Sequence, residues 1–332
     1  MLARHADAAY WVGRYIERAE ATARMIDVHY HFGLESPWVG EALRWSSLLA
    51  ISGQEELYRE LRGAEEDEGS ILSFFAFEER NPSSIFSCLL NARENSRSIR
   101  DQISSEMWTC INRLFLDYRA WDVERLLSGS PFTFFEWVKE GSHLFQGITN
   151  RTLMMGETRD FHDMGRFLER GDQTARILDV KYHDLLPSFS SDAEAGLATK
   201  TAAETGSIGG PVDIHGWNAV LKSVGAREAF LKTYRQAITP ARVAQFLVLN
   251  PQFPASVRHS IGRVDGCLRR VSGNTSPSPS NPAEREVGKL YQELNYMSAD
   301  DIVAGGLHEF LESVEEKCNK IGAAIYATYL SF

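Results

Sequence analysis

The sequence has little of what usually announces a chemistry. Its four cysteines, Cys88, Cys110, Cys267 and Cys318, are scattered through 332 residues, with no CxxC pair and no histidine at zinc-ligand spacing. That excludes a disulfide scaffold and a zinc module, and it fits a reducing compartment. No uncharged apolar run reaches the roughly 18 residues that a bilayer span needs. The start, Met1-Leu2-Ala3-Arg4-His5, lacks the basic stretch and apolar core of a secretory signal, so a cytoplasmic protein without membrane association is expected. A formal net charge of −10 removes any overall electrostatic pull toward nucleic acid. The acidic run Glu65-Glu66-Asp67-Glu68 reads as a solvated loop. There is no glycine-rich phosphate loop, no GxSxG nucleophile elbow and no HExxH zinc helix. Cys110 and Ser105 have no sequence-visible base, and His143 and His162 read as structural or solvated histidines. No metal and no cofactor are expected.

What is present is the same helix twice. Residues 13–31 read GRYIERAEATARMIDVHYH and residues 165–183 read GRFLERGDQTARILDVKYH. Arg14, Glu17, Arg18, Arg24, Asp27 and His31 recur as Arg166, Glu169, Arg170, Arg176, Asp179 and His183, while Glu20 recurs as Asp172. At helical pitch, Gly13, Glu17, Glu20, Arg24, Asp27 and His31 fall on one stripe. Beside it runs an apolar stripe of Val12, Ile16, Ala19, Ala23, Ile26 and Tyr30, the mark of a helix that packs on a core. Charge is ordinarily free to vary on a wet helix face, so its repetition needs a reason.

The correspondence extends beyond the motif. The two copies lie 152 positions apart, and Trp45/Trp217, Leu49/Leu221, Phe74/Phe246, Pro82/Pro254, Ser84/Ser256 and Arg97/Arg269 lie 172 apart. The extra positions fall between His183 and Trp217, in a stretch rich in Ser, Ala, Gly and Thr that reads as a flexible insertion at 187–212. A second loop is read at 273–283. Residues 1–332 then form one domain of two repeats, about 1–155 and 156–332. Helical periodicity covers 5–33, 38–52, 54–62, 82–117, 119–127, 133–155, 160–186, 213–236, 240–249, 253–272, 283–296 and 307–330. Pro82 and Pro254 are read in the first turns of their helices, where a missing N–H is harmless. No alternating strand is visible. The expected fold class is all-α, a helical bundle built from a tandem duplication with pseudo-twofold symmetry.

Such an axis would set the two motif helices face to face. A candidate polar site then gathers Arg14, Glu17, Arg18, Glu20, Arg24, Asp27 and His31 with Arg166, Glu169, Arg170, Asp172, Arg176, Asp179 and His183. Glu94, Arg97 and Asp101, sharing a face of the 82–117 helix, are a third contribution. Three readings stay open. A salt-bridge network through Glu20–Arg24, Arg24–Asp27 and Asp27–His31 would fix helix register. A metal would use the helical carboxylates and histidines, but the spacing is Asp-x-x-x-His where di-iron bundles use Glu-x-x-His, and arginines inside the stripe oppose a cation. A pocket would offer guanidinium forks to carboxylate or phosphate and acids to an amine, as an amino acid or peptide requires.

MLARHADAAYWVGRYIERAEATARMIDV at 1–28, RENSRSIRDQISSEMW at 93–108, GRFLERGDQTARILDVKY at 165–182 and FLVLNPQFPASVR at 246–258 resemble the bacterial alpha-E domain family over nearly the whole chain. His162 stands where relatives in that family tend to carry an aromatic residue, which implies a modified surface or helix contact there. The resemblance implies a helical protein encoded beside, or fused to, circularly permuted ATP-grasp proteins, with transglutaminase-like proteins as further companions. ATP-grasp enzymes activate a carboxylate as an acyl phosphate and join it to an amine. The implied function is a non-catalytic partner or substrate-binding subunit of a peptide- or amide-forming ligase. The alternative is an enzyme of the same pathway, with Glu17/Glu169 and Asp27/Asp179 as acid and base. The resemblance brings no catalytic residues with it. Solvent-connected carboxylates would favour the enzyme, and sealed, arginine-paired ones would oppose it.

Overall fold

A computed structural model describes residues 1–35, 45, 48–50, 52–63, 67–128, 131–185, 211–235 and 237–331. In chain order the helices are α1 (Ala3–Glu35), α2 (Glu55–Arg62), α3 (Glu68–Ala76), α4 (Ile85–Ser98), α5 (Ser105–Tyr118), α6 (Val123–Ser128), α7 (Pro131–Thr152) and α8 (Glu157–Leu185). They continue as α9 (Pro211–Ser223), α10 (Arg227–Thr233), α11 (Pro240–Ala244), α12 (Val257–Ser272), α13 (Pro282–Tyr296), α14 (Ala299–Gly305) and α15 (Leu307–Ile325). The class is all-α, with no strand among the described residues. None of these helices is long and apolar enough to cross a membrane.

The apolar stripes dictate the packing. α1, α4, α5 and α7 close into a ring in which each helix packs on the next, and α8, α12, α13 and α15 close into a second. The rings meet where α1 packs along α8, the most extensive helix–helix contact in the chain. The Met1 amine lies 2.6 Å from Glu157, Gly13 packs against His162 and Arg166, and Arg18 reaches Glu169, so the two helices run in the same direction. Their backbones touch. A Cβ on Gly13 would collide with the His162 carbonyl, and one on Gly165 would collide with the Tyr10 carbonyl. Only a residue without Cβ allows that approach. Around this seam sit fully buried Tyr10, Ile16, Ile26, Phe145 and Leu168.

Local chemistry explains where the sequence reading errs. The expected 82–117 helix is interrupted at 99–104, because the Ser104 hydroxyl accepts the Met107 N–H at 3.1 Å and starts α5 afresh. Ser84 and Ser256 cap α4 and α12 in the same way, each accepting an N–H at 3.1 Å. Pro82 and Pro254 therefore stand two residues ahead of a cap and not in the first helical turn. The expected 213–236 helix breaks at 224–226. The expected 240–249 and 307–330 helices finish in wider π-type turns at Gln245–Leu249 and Tyr326–Leu330. Two short helices, α3 and α14, lie outside the stretches of expected helix. Asp67, read as part of a solvated acidic loop, caps α3 by accepting the Ser70 N–H. The 273–283 loop is present and ends at Pro282, where α13 begins. Most of the expected 38–52 helix, Glu65 and Glu66 of the acidic run and most of the 187–212 insertion lie outside the described residues.

The glycine contact is directly testable. Alanine favours an unconstrained helix over glycine by about 1 kcal/mol. Gly13→Ala and Gly165→Ala are nevertheless expected to lower the thermal midpoint, at an overpacking cost on the order of 1–3 kcal/mol. Scanning calorimetry reads this directly, and a midpoint raised by either substitution would mean that the two backbones do not meet there.

Candidate functional site

The repeated charges are not on a wet face. Glu17, Glu20, Asp27, Glu169, Asp172 and Asp179 are all buried, Glu169 completely. Buried carboxylates persist only when paired and hydrogen-bonded, and the pairing here is reciprocal. Glu169 of α8 accepts from Arg14 Nε at 2.7 Å, Arg18 Nε at 2.6 Å and Arg18 Nη2 at 2.9 Å. Glu17 of α1 accepts from Arg170 Nε at 2.5 Å and Nη2 at 2.7 Å. The glutamate of each Glu-Arg dipeptide, 17–18 and 169–170, is thus held by the arginine of the other. Burial by itself would push Glu169 upward, but the charges of Arg18 and Arg14 and their hydrogen bonds outweigh it and hold the carboxyl far below the usual range.

Further along, each motif helix meets its own ring. Glu20 accepts from Arg24 Nε at 2.9 Å, from the Ser142 hydroxyl at 2.6 Å and from His143 Nε2 at 3.1 Å. Burial opposes ionisation of Glu20, yet the His143 hydrogen bond, the Arg24 charge and the Ser142 hydroxyl together hold it well below the usual range. The same hydrogen bond raises the His143 pKa. On the other side Asp172 pairs with Arg176 at 2.9 Å, and Arg176 continues to Glu315 of α15 at 2.9 Å. Burial keeps the Asp172 pKa raised and pushes Glu315 up to about 7 despite Arg176. Arg24 lies against the turn at Gly225 and Arg176 against the turn at Gly53, another reciprocal contact.

Several expected site residues behave differently. Arg24 closes on Glu20, whereas Asp27 takes its cation from Lys139 of α7 at 2.8 Å, so the expected Arg24–Asp27 pair is replaced. Asp179 is met by His308 Nδ1 at 2.8 Å. The side chains of His31 and His183 lie outside the described residues. Glu94, Arg97 and Asp101 do not join the stripe. Glu94 pairs with Arg97 at 3.2 Å and with Arg93, and the break after Ser98 leaves Asp101 in an exposed turn bonded to Gln102. Lys139, Ser142, His143, Gln146, His308 and Glu315 were missed. The available signal was polar residues at helical spacing on one face of α7, namely 139, 142, 143 and 146.

Among the described residues no three His, Cys, Asp or Glu side chains gather as metal ligands. There is instead an open cleft of about 510 Å³ between α1, α7 and α8, lined also by residues 223–225 and 253–255. Glu17, Glu20, Arg24, His143, Gln146, Arg166 and Arg170 line it. Two of these are poorly satisfied. Arg166 approaches Glu17 only to 3.7 Å, and its Nε is buried with no hydrogen-bond partner. Burial and the neighbouring Arg170 lower its pKa. Gln146 buries both amide atoms without a partner, a desolvation cost on the order of 1–3 kcal/mol.

A family described as a predicted α-helical domain with a conserved ER motif matches residues 1–330. The chain belongs to the Alpha-E family. Its Glu17-Arg18 and Glu169-Arg170 dipeptides are ER sequences, and they are the two that close on each other. No curated protein and no solved structure matches the chain.

Removing one member of a buried ion cluster strands the others. Glu169→Gln is expected to cost about 3–5 kcal/mol at neutral pH. A carboxyl whose folded pKa lies below its unfolded value contributes stability above the unfolded pKa and loses it as acid protonates the folded state. The gap between wild type and Glu169→Gln should therefore narrow below the ordinary glutamate value of 4.5. Urea titrations across a pH series read the gap, and a constant difference down to about pH 3 would contradict the depressed pKa.

Proposed function

We propose that this Alpha-E chain is a non-catalytic helical partner, or substrate-binding subunit, of an ATP-grasp-type ligase that forms peptide or amide bonds in the bacterial cytoplasm. A circularly permuted ATP-grasp protein is the expected partner, with a transglutaminase-like protein as a further companion. The observation that carries the non-catalytic reading is the arginine clamp on Glu17 and Glu169. A carboxylate held by guanidinium forks is a poor base, and with its pKa far below neutrality Glu169 is no acid either. This counts against the alternative in which Glu17/Glu169 and Asp27/Asp179 serve as acid and base, since Asp27 is also paired, with Lys139. The cleft beside the clamp supports the substrate-binding half of the reading, because an open concave volume is lined there by polar groups whose hydrogen-bonding capacity is not met. The near-identical charge order of residues 13–31 and 165–183, with its exchanged partners, supports descent of the two halves from one duplicated unit.

Co-expression with the ATP-grasp protein tests this directly. The two chains are expected to co-purify, and turnover of the ligase should rise when this chain is added. No complex and unchanged turnover would sink the partnership.

A further inference from the structure

We infer that the cleft between α1, α7 and α8 binds the C-terminal carboxylate and last peptide bond of a peptide, one per chain. The inference rests on the substrate-binding reading above and deepens it by naming the ligand. Three observations carry it. The first is charge. The lining carboxylates are Glu17 and Glu20, against Arg24, Arg166 and Arg170, so the walls hold one guanidinium more than they can neutralise. Glu17 is already occupied by the bidentate Arg170 fork, which leaves Arg166 3.7 Å from a shared carboxylate and its buried Nε without a hydrogen bond. A guanidinium in that state is suited to a carboxylate.

The second is Gln146. It is only 6% exposed, lines the cleft, and has neither its amide donor nor its acceptor paired. A group that needs one donor and one acceptor side by side is complemented by a peptide bond, whose C=O accepts and whose N–H donates. Both atoms are shielded from water, so a rotation of the terminal amide must turn it to the ligand. A bare carboxylate or a phosphate would answer Arg166 and leave half of Gln146 unmet.

The third is the contrast with the other half of the chain. The partners of α8 that correspond to His143 and Gln146, 172 positions further on, are Glu315 and Cys318. Glu315 supplies Arg176 with the acid that the cleft lacks, at 2.9 Å. Cys318 is buried and needs no hydrogen-bond partner. Arg14, the counterpart of Arg166, donates to Glu169 at 2.7 Å. At these corresponding positions the unmet groups lie on the cleft side, and the volume of about 510 Å³ suits a ligand of two or three residues.

Isothermal titration of the full chain with N-acetyl-alanyl-alanine, its C-terminal amide and inorganic phosphate tests the inference. The free acid is expected to bind at one site per chain, the amide and phosphate at least about tenfold more weakly. Arg166→Gln and Gln146→Leu should each lose about tenfold for the free acid while keeping a cooperative melt. Should Arg166→Gln fail to fold, Gln146→Leu decides alone. Equal binding of acid and amide, binding of phosphate as tight as the acid, or no saturation by about 10 mM acid overturns the site. A chain that fails to bind the acid but still co-purifies with the ligase overturns the cleft and spares the partnership. A chain that binds the acid selectively yet neither co-purifies nor alters turnover does the reverse.

Discussion

Two glutamates buried between α1 and α8 hold the two halves of the molecule to one another. Each would be intolerable in its position without arginines from the opposite helix, since a buried charge stripped of its partner costs several kcal/mol. Neither helix can supply the answer to its own glutamate, because Arg18 is taken up by Glu169 and Arg170 by Glu17. The rest of the architecture follows from this exchange. The helices must come close enough for short guanidinium–carboxylate contacts, which requires the bare backbones of Gly13 and Gly165. They must also hold one register, because a shift of one turn would bring a carboxylate to a carboxylate. The two four-helix rings are then fixed in relation to each other through a polar seam set within apolar packing.

The seam is close to symmetric and its surroundings are not. On the α15 side every guanidinium finds an acid, and Glu315 completes the set even though its own burial penalises the charge. On the α7 side a histidine and a glutamine occupy the corresponding places, and the pairing is left incomplete. Buried polar groups left short of partners beside a cavity mark places where a sequence gives up stability for something else. The cleft is where this chain does so.

Much of this was legible in the sequence, for identifiable reasons. The charged stripe, the apolar stripe beside it and the spacing of the copies all follow from helical periodicity, so α1 and α8 were placed nearly to their ends. Periodicity is blind to interruptions that keep the phase of the pattern. The break at 99–104 went unseen because Ile99, Ile103 and Met107 continue an apolar rhythm, and only the Ser104 cap reveals the restart. That break also explains why Asp101 was wrongly assigned to a helix face. Within the stripe, i,i+4 reasoning found Glu20–Arg24, whose repeat in the structure is Asp172–Arg176. It could not find Glu17–Arg170 or Lys139–Asp27, because those partners are set by packing across helices and carry no spacing of their own. His143 and Gln146 were passed over for the same reason, since α7 gains its polar meaning only from the helix it faces.

The exchange of arginines also sets a timetable. α1 leaves the ribosome before α8, and the partner of Glu17 is encoded 153 residues later. At about 5–20 residues per second, synthesis takes roughly 8–30 s to supply it. During that interval Glu17 and the flanking arginines have only water for company. The first ring can gather its apolar faces in that time, but α1 cannot be sealed until α8 arrives. Closure of Glu17 and Glu169 over their exchanged arginines therefore has to follow the synthesis of α8, and until then the same charges that later lock the two helices together keep that face of α1 in water.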